Sequence, residues 1–262
     1  MTPMDSSDVL TRSAEPPDIV LRYGDHVDHL VDVWLPAQPL AGPEVHRLLL
    51  LIHGGFWRQE WDRMHLRPLA NALRQEGFAV AAMEYRRTGD SGGWPMTFDD
   101  ARTVVESLPG LLESVAPGQT APGLTVIGHS AGGHLAMWAT TRCAGVVAAV
   151  GLAPVADLYA AYNRDLDDGA VRDLLGGSPD EYPDRYRAAD VVSTLPGSTP
   201  IVVIHGDQDQ YVPVEMSRDL VAAGSGLEYI EVAGIEHFGL IDPRSAAYPV
   251  VLEAIRRVRS SG

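Results

Sequence analysis

Ser130 stands in Gly128-His129-Ser130-Ala131-Gly132, directly after the apolar run Leu124-Thr125-Val126-Ile127 and ahead of a segment of helical length, 131–142. Strand, sharp turn and helix in that order form a nucleophile elbow, which lifts a serine hydroxyl out of the top of a sheet. The flanking glycines are needed where a Cβ would collide with the neighbouring strand or helix. A serine hydroxyl is a weak nucleophile at neutral pH. It needs a base within hydrogen-bond reach, and the base needs an orienting acid. With this kind of elbow the chain order is serine, acid, histidine. Of nine histidines, only His134, His205 and His237 follow Ser130. His134 is one turn along a helix that leads away from the serine and reads as packing. His205 closes a strand and reads as a structural hydrogen-bonder. His237 sits between the last strand and the last helix and is the expected base. Asp157, Asp207 and Asp209 all follow strand ends and are candidate acids. Parity does not separate Asp207 from Asp209, which point the same way in an extended segment, although Asp209 is nearer the next helix.

A second group with chemical meaning is His53-Gly54-Gly55-Phe56-Trp57, after the run Leu48-Leu49-Leu50-Leu51-Ile52. Attack on a carbonyl places negative charge on its oxygen. Backbone N–H groups aimed there stabilise it, and losing one donor costs roughly 3 kcal/mol. Glycines let the backbone approach closely. The expected donors are the N–H of Ala131 and that of Gly55 or Phe56. Phe56, Trp57, Trp61 and Trp94 could wall a substrate pocket.

Elements that hold these groups follow from pattern. Apolar or alternating runs predict strands at 19–22, 30–35, 47–52, 78–83, from 124 to the elbow, 146–152, 200–205 and 227–232. Helices are expected at 64–75, 98–115 with Thr97 as cap, 131–142, 214–223 and 245–259. Two leading strands followed by alternating strand and helix imply an α/β three-layer sandwich. Its mostly parallel, eight-stranded central sheet would carry an antiparallel N-terminal edge. Sites in such sheets lie at the carboxyl ends of the strands, where the serine, histidine and aspartate groups all fall. Residues 1–17 read as a flexible arm, 36–44 as a Pro/Gly loop, and 18–262 as a single domain with a small irregular cap over 157–195.

Composition excludes several classes. The net charge is −15, from 35 acids against 20 basic residues, all of them arginine. Such a chain repels nucleic acid and anionic membranes, and it has no lysine for a Schiff base or a phosphate loop. Cys143 is alone, so no internal disulfide forms, and no metal-ligand spacing or cofactor motif occurs. No targeting segment or span-length apolar run is seen, which reads as a soluble, cytoplasmic protein. The expected partner is a small-molecule ester or amide, with a homodimer left open.

Taken together, His53-Gly54-Gly55-Phe56-Trp57, Glu84-Tyr85-Arg86-Arg87, Gly128-His129-Ser130-Ala131-Gly132-Gly133-His134, His205-Gly206-Asp207-Gln208-Asp209-Gln210-Tyr211-Val212-Pro213 and Glu236-His237-Phe238 resemble the α/β-hydrolase esterase/lipase superfamily. The His-Gly-Gly-aromatic-Trp form is most similar to its kynurenine formamidase (arylformamidase) branch. The resemblance runs from about Tyr23 to the C-terminus. It implies Ser130 as nucleophile, Asp209 as acid and His237 as base, with no cofactor. It also implies hydrolysis of N-formylkynurenine to kynurenine and formate, or of a short ester by the same site. A hydrolase-fold binding protein without catalysis is the contrasting class. Phe56 stands where lipase relatives carry a third glycine, which weighs against bulky lipid esters. Arg86-Arg87 departs from the usual Tyr-Arg-Leu.

Overall fold

The computed structural model describes residues 6–36, 48–118 and 123–258. Residues 1–5 of the expected arm, the expected loop beyond Pro36, and Arg259 lie outside them. Eight strands form one sheet: β1 (Ile19–Arg22), β2 (Leu30–Trp34), β3 (Leu48–Ile52), β4 (Ala79–Met83), β5 (Leu124–His129), β6 (Val146–Leu152), β7 (Ile201–Gly206) and β8 (Glu228–Val232). Their order across the sheet is β1-β2-β4-β3-β5-β6-β7-β8. β1 runs antiparallel to β2, and β2 antiparallel to β4; the remaining pairs are parallel. This is the α/β-hydrolase arrangement that the motifs imply.

Side-chain alternation splits the core into two layers. On one face Leu48, Leu50, Ile52, Ala81 and Met83 pack with α2 (Met96–Val115) and α3 (Ala131–Arg142). On the other, Leu49, Leu51, Val80 and Ala82 pack with α1 (Arg67–Gln75) and α8 (Tyr248–Arg257). All five residues of β3 are buried, as a central strand covered on both faces requires. Truncating one of these leucines to alanine would cost about 2–5 kcal/mol. Between β6 and β7 the chain forms three short helices, α4 (Leu158–Asn163), α5 (Ala170–Leu175) and α6 (Pro183–Ala189). α7 (Glu215–Ala222) follows β7. No helix among the described residues is long and apolar enough to cross a membrane.

Two local expectations differ from the structure. Thr97 does not cap α2, which begins at Met96. The Thr97 hydroxyl instead donates to the Arg86 carbonyl at 2.6 Å and accepts the Gly93 N–H at 2.9 Å, joining two loops. Composition makes residues 1–17 look loosely attached, yet residues 6–17 are held firmly. A 3-10 turn at Ser6–Thr11 buries Val9 completely. Arg12 pairs through both terminal nitrogens with Asp242. The Glu15 carbonyl accepts from Trp34 Nε1 and Asn71 Nδ2. These partners are distant in sequence, so composition alone could not display them.

Candidate active site

The elbow is built by close backbone approach. A Cβ on Gly128 would stand 1.9 Å from the Gly132 carbonyl oxygen, and one on Gly132 would stand 2.1 Å from that of Ile52. Glycine at both places lets β5 turn sharply into α3. Ser130 adopts φ 57°, ψ −119°, a conformation that costs a non-glycine residue on the order of 1–3 kcal/mol. Its surroundings enforce it. The Ser130 N–H donates to Leu152 O at 2.8 Å, and its carbonyl accepts from the N–H groups of His134 and Val155, both at 3.2 Å. Ala131 is the first residue of α3, so its N–H has no acceptor within the helix.

β7 and β8 supply the other two groups. Asp209 lies in the loop after β7, with its side chain shielded from solvent. One carboxylate oxygen accepts the N–H groups of Tyr211 and Val212, both at 2.8 Å. The other lies 2.6 Å from His237 Nδ1 and 3.2 Å from His205 Nε2. Burial alone would raise the Asp209 pKa, but hydrogen bonds from His205 and His237 outweigh it and hold the group below the usual carboxylate range. The ionised acid therefore faces Nδ1–H of His237, leaving Nε2 of that ring as an acceptor. His205 bonds Ser217 Oγ at 2.7 Å and Val212 O at 3.0 Å, fixing the Asp209 loop. Asp207 accepts the Gly234 N–H at 2.6 Å, and Asp157 caps α4 through the Ala160 N–H, so both other acids are spent on backbone.

The loop after β3 rests on a buried charge network. His53 places Nε2 2.7 Å from Glu84 Oε1 and Nδ1 2.8 Å from the Gly54 carbonyl. Its ring stacks on Tyr85 with centroids 4.3 Å apart, and the Tyr85 hydroxyl donates to His53 O. Glu84 also pairs with Arg87 and accepts the Arg63 N–H. Burial pushes Glu84 up, but the charge and hydrogen bond of His53, then Arg87, bring it down to about 2. Removing one partner from such a set typically costs 3–5 kcal/mol, because the others stay buried and uncompensated. Above this base, Gly55, Phe56 and Trp57 all take positive φ, at 102°, 49° and 58°. A Cβ on Gly54 would meet Ser130 Cβ at 2.9 Å, which sets this loop directly against the serine.

These loops enclose a cavity of about 80 Å³ lined by Gly55, Phe56, Trp61, His65, His129, Ser130 and His237, with Leu10, Asp167, Tyr211 and Phe238 completing it. Ser130 and His237 are 2% and 4% exposed. Two further histidines remain neutral beside His237. Burial, then the charge of neighbouring histidines, lowers His129 well below its ordinary value and His65 to about 3. His129 Nε2 lies 3.1 Å from the His237 carbonyl. Of the aromatic residues expected in the wall, Phe56 and Trp61 are there and two are not. Trp57 is fully buried, its ring perpendicular to that of His134 with centroids 5.5 Å apart. Trp94 packs on Phe98 and donates its backbone N–H to Leu174 O. Sequence reading did not pick out Leu10, His65, Asp167, Tyr211 and Phe238. Tyr211 and Phe238 lay inside motifs already singled out, whereas nothing local marked Leu10.

A second cavity, of about 280 Å³, adjoins the first through Tyr211, His237 and Phe238 and is lined further by Ser6, Ser7, Gln210 and Glu236. Tyr211 is 52% exposed, so its ring offers a face to whatever enters.

The family model described as BD-FAE matches residues 31–223. Esterase LipC of Mycobacterium tuberculosis is 24% identical across 91% of this chain, which spans 65% of that protein's length. A kynurenine formamidase of Danio rerio is also 24% identical, over 84% of this chain and 74% of its own. Among solved structures, a truncated carbohydrate esterase from gut microbiota superposes with a TM-score of 0.76 at 19% identity, covering 94% of this chain and all of that one.

Proposed function

We infer the activity from the premise that the chain belongs to the BD-FAE family of the α/β-hydrolase esterase/lipase superfamily: it is a serine hydrolase that cleaves short-acyl carboxylic esters. Ser130 Oγ attacks the ester carbonyl while His237 Nε2 takes its proton, and Asp209 holds the imidazole and offsets its charge. The N–H groups of Ala131 and of Gly55 or Phe56 receive the oxyanion. The proton then passes from His237 to the departing alkoxide, leaving an acyl-Ser130. Water attacks that acyl group, giving its proton to Nε2, and the carboxylic acid leaves as Ser130 recovers its hydrogen.

The observation that carries the acyl preference is the cavity of about 80 Å³ beside Ser130. Pockets for drug-sized ligands run from about 300 Å³ upward, so this one suits an acyl group of a few carbons. The alcohol side is the adjoining polar cavity, where Tyr211, Gln210 and Glu236 suit a hydroxylated leaving group.

A formamidase reading has support in the same small cavity, which accepts a formyl group, and in the zebrafish relative. Its leaving group, kynurenine, carries a carboxylate that wants a cation. The described residues lining the two cavities include no arginine and two acids, Asp167, whose carboxylate pairs with Arg58, and Glu236. That charge balance favours the ester. The test compares kcat/KM on p-nitrophenyl acetate and N-formylkynurenine. At least about a hundredfold preference for the ester is expected, and the reverse order would install the formamidase reading instead.

A further inference from the structure

The 3-10 turn Ser6–Thr11 lies about 120 residues before Ser130 in the sequence, yet it stands at the catalytic cavity. It packs against two other turns that frame that cavity, Arg63–Leu66 carrying His65 and His237–Leu240 carrying His237. Leu10 lines the inner cavity together with Ser130 and His237. Ser6 and Ser7 line the outer one. The turn thus borders both compartments of one site.

Its attachment is specific at both ends. Val9, between the two, is fully buried in the same core cluster as Leu240 and Ile241. Ser6 Oγ donates to Glu236 Oε2 at 2.6 Å, next to His237 in the chain. Arg12 binds Asp242 bidentately, with Nη2 2.9 Å from Oδ2, and Asp242 follows the turn that carries His237. Paired charge-assisted hydrogen bonds of this kind fix orientation as well as position. Hydrogen bonds from Arg12 and from the Arg244 N–H also hold Asp242 below its ordinary pKa, although burial works the other way, so the clamp is ionised at neutral pH.

From this placement we propose that the N-terminal turn is a specificity-determining wall of the active site: Leu10 sets the length of acyl chain that fits beside Ser130, and the Arg12–Asp242 pair clamps the wall in place. The proposal rests on the esterase reading above. Leu10 is one of the residues that line the cavity of about 80 Å³ holding Ser130, so the bulk of its side chain takes space that a longer acyl chain would need. Arg12 touches neither cavity and acts only by position, since it is absent from the lining of both.

The test measures kcat/KM for p-nitrophenyl acetate, butyrate and hexanoate with the full chain. Leu10→Ala should raise the hexanoate-to-acetate ratio roughly tenfold or more, as each methylene newly accommodated adds its transfer free energy. Leu10→Phe should lower the butyrate-to-acetate ratio. Arg12→Ala should shift the profile in the same direction as Leu10→Ala, by relaxing the wall without reshaping it. Ratios within twofold of wild type in both Leu10 variants overturn the wall. An altered profile in the Leu10 variants with a wild-type profile in Arg12→Ala overturns the clamp. A wild-type protein that turns over none of the three esters overturns the esterase reading itself, an outcome distinct from an active enzyme with an unmoved profile.

Discussion

Ser130→Ala is expected to leave a folded protein whose kcat/KM for an activated short ester is lower by at least about 10³-fold, roughly 4 kcal/mol of transition-state stabilisation. The substitution deletes one oxygen from a side chain that is 2% exposed and leaves the elbow's backbone bonds to Leu152, His134 and Val155 untouched. The unusual φ of 57° is imposed by those bonds, so alanine can occupy it at modest cost. Any residual rate comes from the oxyanion donors and binding, which survive the change. Thermal unfolding measured beside the kinetics separates loss of chemistry from loss of fold. Turnover near the wild-type level would place the nucleophile elsewhere.

Asp209→Asn should be nearly as severe, lowering kcat by about 10³–10⁴-fold with a small effect on KM. The amide keeps an oxygen to accept the N–H groups of Tyr211 and Val212, which now bond Asp209 Oδ1 at 2.8 Å each. His205 Nε2 loses its acceptor at Oδ2 but keeps the Val212 carbonyl at 3.0 Å, so the loop should hold its shape. The amide nitrogen would then face His237 Nδ1, where Oδ2 now sits 2.6 Å away. An N–H donor there stabilises the tautomer with its proton on Nε2, which cannot accept from Ser130. The negative charge that offsets the imidazolium is also gone. Steady-state kinetics at neutral pH, with KM and kcat resolved, reads this directly. A kcat within tenfold of wild type would show that Asp209 does not orient the base.

Much of the sheet and of the catalytic constellation was legible because each part is a local pattern. The run 48–52, buried on both faces, reads as a central strand from five consecutive apolar residues. Ser130 and His237 follow from an elbow motif and from chain order, and the structure lines one cavity with both. Strand parity leaves Asp207 and Asp209 open, and it is the family resemblance that implies Asp209. Both follow β7, and only the fold reveals that Asp207 bonds Gly234 across the loop while Asp209 reaches His237.

Misplaced residues share one physical cause, which is that long-range packing overrode a local signal. Trp57 directly follows the glycine loop and looks like pocket lining, but its ring packs into the core against His134. Thr97 has the composition of a helix cap, but its hydroxyl is taken by Arg86 and Gly93. The N-terminal segment has the composition of a loose tail, yet one buried valine and an arginine–aspartate pair fasten it across the site. An ion pair spanning 230 positions leaves no trace in hydropathy or spacing.

The central claim is that Ser130 carries the acyl group. Brief reaction of the wild-type chain with p-nitrophenyl acetate, quenching in acid and peptide mass analysis tests it most directly. One acetyl group per chain, on the peptide that contains Ser130 and absent from the Ser130→Ala variant, is the expected result. Ester turnover with no acetyl group on that peptide, or with acetylation that persists unchanged in Ser130→Ala, would contradict it.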